Sequence, residues 1–578
     1  MPELDATASG MQVMGPTVVK TKSKASRSRT ASIASSRSFD AVSLGIMWDR
    51  LVSLTDEIVS TLIRSSFSTI VYESYDLTVA VLDAETNTIA QGTFGIPAFI
   101  GSAPVTARHM LKRFPPETLQ PGDIIVTNDP WMGTGHLYDI TMMRPVFRKG
   151  RIIAYTVSIT HLPDIGGSGF GSSASEIYHE GLRLPILKLY EAGRLNELVV
   201  EIIRNNVRVP EQVMGDVMAN VSCGEVGGRE ILAFMDEYGL DDLVALSKAI
   251  RSQSETAMRA KIREMKDGSY RNAIRVEGFA EPVDLAVRID IKGDSVLADF
   301  EGTGGCVNAG VNVPFCYTNA MVLHAIKTLT LPSIPNNQGS AAPISTRAPV
   351  GCILNAQPPF PTGGRHAMGH FVTPLIYGAL ANAAPNQVQA DSGMMNLLTF
   401  QGTRTDGRPF TTLYFASGGY GALRDLDGWA TLPHPSNMAV VPVEVWETLT
   451  HTTVLSKRLL PDSGGPGQWR GGLGQDVRLR NDTGHPLVLL GMGNRTDFPA
   501  KGLFGGGDGA LRKHAVDDKP VHAKGRIEVA PGSGMSIIEA GGGGIGDPKQ
   551  RASAAVQADV EDGFVTPAAA KRIYGRKG

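Results

Sequence analysis

Asp123-Ile124-Ile125-Val126-Thr127-Asn128-Asp129-Pro130-Trp131-Met132-Gly133-Thr134-Gly135-His136-Leu137-Tyr138-Asp139 is the stretch on which the reading of the fold turns. It opens as an apolar, β-branched strand. Asn128-Asp129-Pro130 then turns the chain sharply. Gly133 and Gly135 let the backbone bend so that His136 and Asp139 face inward. The design returns one apolar run later: Arg151 to Thr160 reads as a second strand and runs into His161-Leu162-Pro163-Asp164-Ile165-Gly166-Gly167. A His and an Asp three positions apart thus follow each strand, in loops at the strand ends. Such positions hold side chains rigidly in front of open space, which suits a metal site. Two imidazoles and two carboxylates suit a borderline divalent cation such as Zn, Mn or Fe. His136, Asp139, His161 and Asp164 are the expected ligands. Asp76, at the start of another strand, is a third acidic candidate, and equally a partner for a nearby cation. Asp129 is a catalytic candidate, and equally what a turn needs.

Outward from this centre, Leu51, Leu54, Ile58 and Leu62 recur at helical spacing, which predicts an amphipathic helix over 45–66. Leu77 to Leu82 and Thr88 to Gln91 flank Ala84-Glu85-Thr86 and read as a β-hairpin. Helices are predicted at 103–113, 192–206, 210–220, 227–237 and 241–266. After about Gly268 the pattern changes to strands and turns. A hairpin is expected around Lys292-Gly293-Asp294, with helices near 317–329 and 367–383. From 395 to 545 the chain is strand-rich and heavily punctuated by Gly. Two short helices close it, the second with Thr566 as N-cap and Pro567 at its first position. The predicted fold class is mixed α/β (α+β), with an N-terminal α/β metal-bearing half and a C-terminal β-rich half. The expected divisions are 1–40, a basic Ser-rich disordered tail; 41–267, the metal-binding region; 268–548, the β-rich region with inserted helices; and 549–578, a helical tail.

Composition narrows the function. At 578 residues the chain exceeds one ordinary core. A formal net charge of -2 argues against nucleic acid or a membrane surface as a bulk partner. Four cysteines without a CxxC pair suit a reducing, cytoplasmic setting. No apolar run reaches the roughly 18 residues of a membrane span, and no signal-peptide core stands near Met1. Walker A and Gly-x-Ser-x-Gly signatures are absent from the sequence, so an ATP site is expected elsewhere. Arg365-His366, after Pro361-Thr362-Gly363-Gly364, reads either as an anion-binding loop or as a helix entry. His179-Glu180-Gly181-Leu182-Arg183 reads either as part of a substrate pocket or as a plain turn. The Gly-rich strings at 463–474 and 541–544 lack the strand-loop-helix context of a phosphate cradle and read as tight turns packed on a neighbour.

Taken together, these motifs carry a resemblance. Asn128-Asp129-Pro130 with His136 and Asp139, His161 with Asp164 to Gly167, Glu180-Gly181, Asp462 to Gly467 with Arg470-Gly471-Gly472, and Gly541 to Pro548 resemble the hydantoinase B component of the ATP-dependent hydantoinase and oxoprolinase family. That family includes the matching subunits of acetone and acetophenone carboxylases. The match runs from about Ile46 to Gly575. Leu162 and His366 depart from its common pattern, which has a second His and an Asn there. The resemblance implies a hydantoinase A-type partner that binds ATP and Mg and phosphorylates a substrate oxygen, in a hetero-oligomer with two copies of each subunit. It implies that His136, Asp139, His161 and Asp164 hold the divalent metal, with Asp76 or Glu73 orienting or deprotonating a water. The expected activity is hydrolysis of a cyclic amide C–N bond. The alternative is a subunit of an ATP-dependent ketone carboxylase. A catalytically silent scaffold is disfavoured by the intact His and Asp pairs.

Overall fold

The computed structural model describes residues 39–575. The expected tail at 1–40 therefore lies, but for its last two residues, outside the described residues. The helix Ala41–Ser65 starts on Asp40, whose carboxylate accepts from the Val42 and Ser43 N–H groups at 3.0 Å each. Its apolar stripe, including Leu51, Leu54, Ile58 and Leu62, is fully buried.

Four expected strands and three unexpected ones, one of them at the start of the helix expected at 192–206, form one seven-stranded antiparallel sheet. They are β1 (Leu77–Asp83), β2 (Thr88–Gln91), β3 (Ile124–Thr127), β4 (Asp139–Arg148), β5 (Arg151–His161), β6 (Leu187–Glu191) and β7 (Arg194–Leu195), in the order β2-β1-β5-β4-β3-β6-β7. Alternation along β1 sends Val79 and Val81 to one apolar layer and Ala80 and Leu82 to another. The sheet is covered on both faces, so β1 is buried at every position.

The two helices expected at 210–220 and 227–237 are in fact one, Pro210–Glu237, with no break between them. Gly224, Gly227 and Gly228 invite a break by propensity, but they serve close packing instead. A Cβ on Gly227 would stand 2.7 Å from Thr156 Cγ2 on β5 and 3.0 Å from Ile58 Cδ1.

The later chain builds three further sheets. One runs Ile344–Arg347, Ser295–Asp299, Val283–Lys292, Gly268–Val276, and includes the expected hairpin at 292–295. The second runs Pro409–Ser417, Met395–Thr403, Leu487–Met492, Lys524–Val529. The third has five strands, with Gln475–Asn481 and Gly534–Ile538 at its centre. The helix expected at 367–383 is two, Arg365–Gly369 and Val372–Leu380. A single hydrophobic cluster includes Val126, Ile140 and Ile159 from the first sheet and Leu285, Leu398 and Leu489 from the later ones. The fold is mixed α+β.

The Gly-rich strings pack backbone on backbone. Gly465 N donates to Gly542 O at 2.7 Å, Gly542 N to Gly472 O at 3.0 Å, and Gly472 N to Tyr420 O at 2.7 Å. A Cβ on Gly542 would lie 2.2 Å from Tyr420 O, so only glycine permits this approach.

Candidate metal centre

Asp139 is the first residue of β4 and His161 the last of β5, and the antiparallel register sets them directly opposite one another. Asp139 thus belongs to a strand rather than to the expected loop. Pro145 hides β4 in the sequence, because proline within a run argues against a central strand. The strand tolerates it beside a bulge between Val146 and Phe147.

His136, Asp139 and His161 converge, with one ligand atom from each within 4.8 Å of the others. His136 Nε2 lies 2.8 Å from Asp139 Oδ1, and His161 Nδ1 lies 3.3 Å from the same oxygen. Asp76 Oδ2 stands 3.7 Å from His161 Nδ1. All four residues are buried. His136 Nε2, Asp139 Oδ1, His161 Nε2 and Asp76 Oδ1 are buried without a hydrogen-bond partner. Buried polar atoms are ordinarily paired. Four orphans in one cluster of imidazole and carboxylate groups fit a divalent cation.

Surrounding residues fix the orientation of this cluster. His136 Nδ1 is 2.9 Å from the Gly363 carbonyl oxygen. A carbonyl only accepts, so Nδ1 carries the proton and Nε2 keeps its lone pair for a ligand. The other oxygen of Asp139, Oδ2, accepts from Arg365 Nη2 at 2.6 Å. Arg365 also donates from Nε to Thr134 O at 2.6 Å and lies over the Tyr317 ring, 4.4 Å from its centroid. Its guanidinium is consumed internally, so the anion-binding reading of Arg365-His366 gives way to a clamp on Asp139. Gly135, at φ +95, makes room for this: a Cβ there would meet Arg365 Cδ at 2.7 Å. Glu180 accepts from Gly363 N at 2.6 Å, so it fixes the loop that holds His136. The sequence leaves the partners of Glu180 and Arg365 open. The usable signal is a charged residue inside an otherwise apolar, Gly-rich stretch.

Other candidates lie outside the cluster. Asp164 is buried, but its Oδ1 accepts from Gly166 N at 3.0 Å and Arg208 Nη1 at 2.7 Å, and its Oδ2 accepts from Arg208 N. It ties the Gly166-Gly167 turn to the end of the helix Glu197–Asn206. Asp129 accepts from Trp131 N at 3.0 Å and from Arg183 Nε at 2.8 Å, as a turn and ion-pair residue does. Glu73 is half-buried at the end of the helix Thr69–Tyr72 and does not line the cavity at the cluster. Asp76 does line it.

Electrostatics follow from burial. Desolvation and the neighbouring Arg365 charge push the His136 imidazole down to about 4. Burial raises the Asp76 carboxyl to about 6, against the pull of His161. Burial alone would raise Asp139, but His136 and Arg365 outweigh it and hold it well below the usual carboxylate range. Burial lifts Glu180 to about 8, partly offset by the Gly363 N–H.

A buried two-His, one-Asp cluster in an α+β body defines a candidate metalloprotein, and comparison with known proteins gives its family. The chain belongs to the Hydantoinase B/oxoprolinase family, matched over residues 40–548. It is 29% identical to the beta subunit of the caprolactamase of Pseudomonas jessenii, covering 93% of this chain and 96% of that one. It is 27% identical to the B component of a putative D-/L-hydantoinase of Pseudomonas sp. (strain NS671), covering 93% and 95%. The solved ATP-dependent caprolactamase from Pseudomonas jessenii superposes with a TM-score of 0.86 at 26% identity, covering 93% of this chain and 96% of that one. Nucleotide-free acetone carboxylase superposes with a TM-score of 0.84 at 19% identity, over 92% of this chain and 80% of that one, a likeness of fold.

Proposed function

We propose that this chain is the metal-bearing subunit of an ATP-dependent cyclic amide hydrolase, working beside an ATP-binding subunit of the hydantoinase A type. The observation that carries this reading is the meeting of His136, Asp139 and His161 in one buried cluster with Asp76 beside it. The hydantoinase and caprolactamase relatives support the substrate class. Both are named as one subunit of a larger enzyme, which supports a partner. Among the described residues no helix is long and apolar enough to cross a membrane.

An amide resists attack because its nitrogen lone pair is delocalised. Phosphorylation of its carbonyl oxygen by the partner removes that delocalisation and leaves an electrophilic carbon. Water adds there, and the ring nitrogen leaves with a proton as the C–N bond breaks. A second water releases phosphate from the resulting acyl phosphate to give the carboxylate. A divalent ion, when bound, lowers the pKa of its water from about 16 toward 7. His136 would contribute Nε2 to the ion because Gly363 O holds the proton on Nδ1. Asp139 would contribute Oδ1 while Arg365 holds Oδ2. His161 would complete the set. Asp76, with an unpartnered Oδ1 and a carboxyl near 6, accepts the proton of the attacking water as general base.

The test is metal content and turnover of the co-purified complex carrying His136→Ala or His161→Ala. Elemental analysis identifies the ion as Zn, Mn or Fe and should show it lost, together with ATP-dependent lactam hydrolysis. Stoichiometric metal in both variants overturns the assignment.

A further inference from the structure

The cavity at the cluster has two unlike ends. Asp76, His136, His161 and Arg365 make one end. Ile96, Phe170, Met321, Met395, Leu397 and Met438 make much of the rest, each at most 8% exposed. Arg365 is the sole Lys or Arg side chain among the described residues lining it, and its charge is spent on Asp139 and the Thr134 carbonyl. His366 and His370 also line the cavity. Burial pushes His370 down to about 3 and His366 well below its ordinary range, so both are neutral. His366 Nδ1 is buried without a partner.

A second cavity adjoins the first, sharing Ile96 and Pro435 as a common wall. Its lining includes His324, Tyr420, His434 and Asn437, and no Asp, Glu, Lys or Arg among the described residues. Burial pushes His324 down to about 4 and His434 well below its ordinary range. The space around the cluster, and the space next to it, therefore hold no unspent positive side chain among the described residues.

We propose that the two adjoining cavities, about 20 Å³ at the cluster and about 340 Å³ beside it, together take the uncharged, apolar ring of a cyclic amide and discriminate against ring substrates that carry a carboxylate. The inference rests on the cyclic amide hydrolase reading and names the substrate class of that same site. The phosphorylated carbonyl can be anionic where it would face the ion that His136, Asp139 and His161 are placed to hold. The remainder of the ring meets methionine, leucine, isoleucine and phenylalanine side chains. A carboxylate there loses its water and finds no counter-charge, which is costly in an apolar site. The unpartnered His366 Nδ1 is a neutral polar contact suited to the amide rather than to an anion.

The experiment uses the co-purified complex with ATP and compares unsubstituted lactams and hydantoin with the same rings bearing a carboxylate, such as 5-oxoproline. Neutral rings should show kcat/KM about 100-fold or more above their acid counterparts, in line with rejection by unpaired buried groups. Heat protection of the same complex supplies a readout independent of turnover, and neutral lactam should protect where the acid does not. Met438→Lys, which places a cation on the apolar wall, should narrow the gap by raising kcat/KM for the acid. Acid rings turned over or protecting as well as neutral ones overturn this inference while leaving the hydrolase reading intact. Carboxylation of a ketone with bicarbonate, with no cyclic amide turned over or protecting, overturns the hydrolase reading and this substrate class with it.

Discussion

Asp139 and His161 are cross-strand partners, with Asp139 Oδ1 3.3 Å from His161 Nδ1. Directly opposed residues in an antiparallel pair bring their side chains together on one face, and a one-residue slip would send one of them to the other. The register of β4 and β5 therefore sets the geometry of the cluster. Asp139→Asn should remove bound metal and also destabilise the metal-free protein. It leaves the buried Arg365 guanidinium without its counter-ion, a loss of about 3–5 kcal/mol. Urea unfolding of the metal-free variant checks this, and an unchanged midpoint would show that the pair is not structural.

Arg365→Lys keeps the charge and should still impair the site. Lysine cannot reproduce two donors in a fixed fork, here to Thr134 O and Asp139 Oδ2. Loss of such a supporting contact typically costs about 10–100-fold in metal affinity or activity. Competition with a chelator of known affinity measures the first, and steady-state kinetics the second. Wild-type values for both would remove Arg365 from the assembly of the site.

Glu180 gives the metal-free fold a defined pH dependence. Burial lifts its carboxyl from 4.5 to about 8, so the protonated form is favoured in the folded state. For a group whose folded pKa is raised, the stabilisation is complete below the unfolded pKa and disappears as pH rises through the folded one. Wild type should therefore lose stability relative to Glu180→Gln between about pH 4.5 and 8, by about 4–5 kcal/mol. Gln keeps an acceptor for Gly363 N. Chemical denaturation of both proteins across that range is the measurement, and parallel curves would exclude the effect.

Two glycines should respond oppositely to alanine. Gly542→Ala forces a methyl to within 2.2 Å of Tyr420 O, in a region made of backbone that cannot rotate aside. A loss of about 3 kcal/mol or failure to fold is expected. Gly45 lies in the helix Ala41–Ser65, and a Cβ there would have nothing within 4 Å. Gly45→Ala should stabilise by about 0.5–1 kcal/mol. Thermal unfolding of the pair tests both signs.

Periodic elements are legible from the chain alone. The helix at Ala41–Ser65, the hairpin of β1 and β2, and the capped helix Pro567–Tyr574 all follow from spacing and cap residues. Elements that break a local rule to serve packing are not. Pro145 obscures β4, and Gly224, Gly227 and Gly228 suggest a break in a continuous helix. At the site, repetition of His-x-x-Asp draws attention to both motifs but cannot tell the environments of the two acids apart. Asp139 starts a strand, where register delivers it to His161. Asp164 sits in a turn, where the nearest cation, Arg208, claims it. Asp76 reaches the cluster through a contact 85 positions from His161 in sequence, which no local pattern encodes.

The clamp on the cluster also orders its assembly in time. The Gly363 carbonyl and the Arg365 guanidinium stand 227 and 226 positions downstream of the groups they hold, His136 and Asp139. A ribosome making this chain exposes the histidines and the aspartate long before it exposes their supports. A nascent chain halted before residue 360 would offer loose imidazole and carboxylate donors to any borderline or hard divalent ion in the cell, and selective loading would begin only once the later loop had docked.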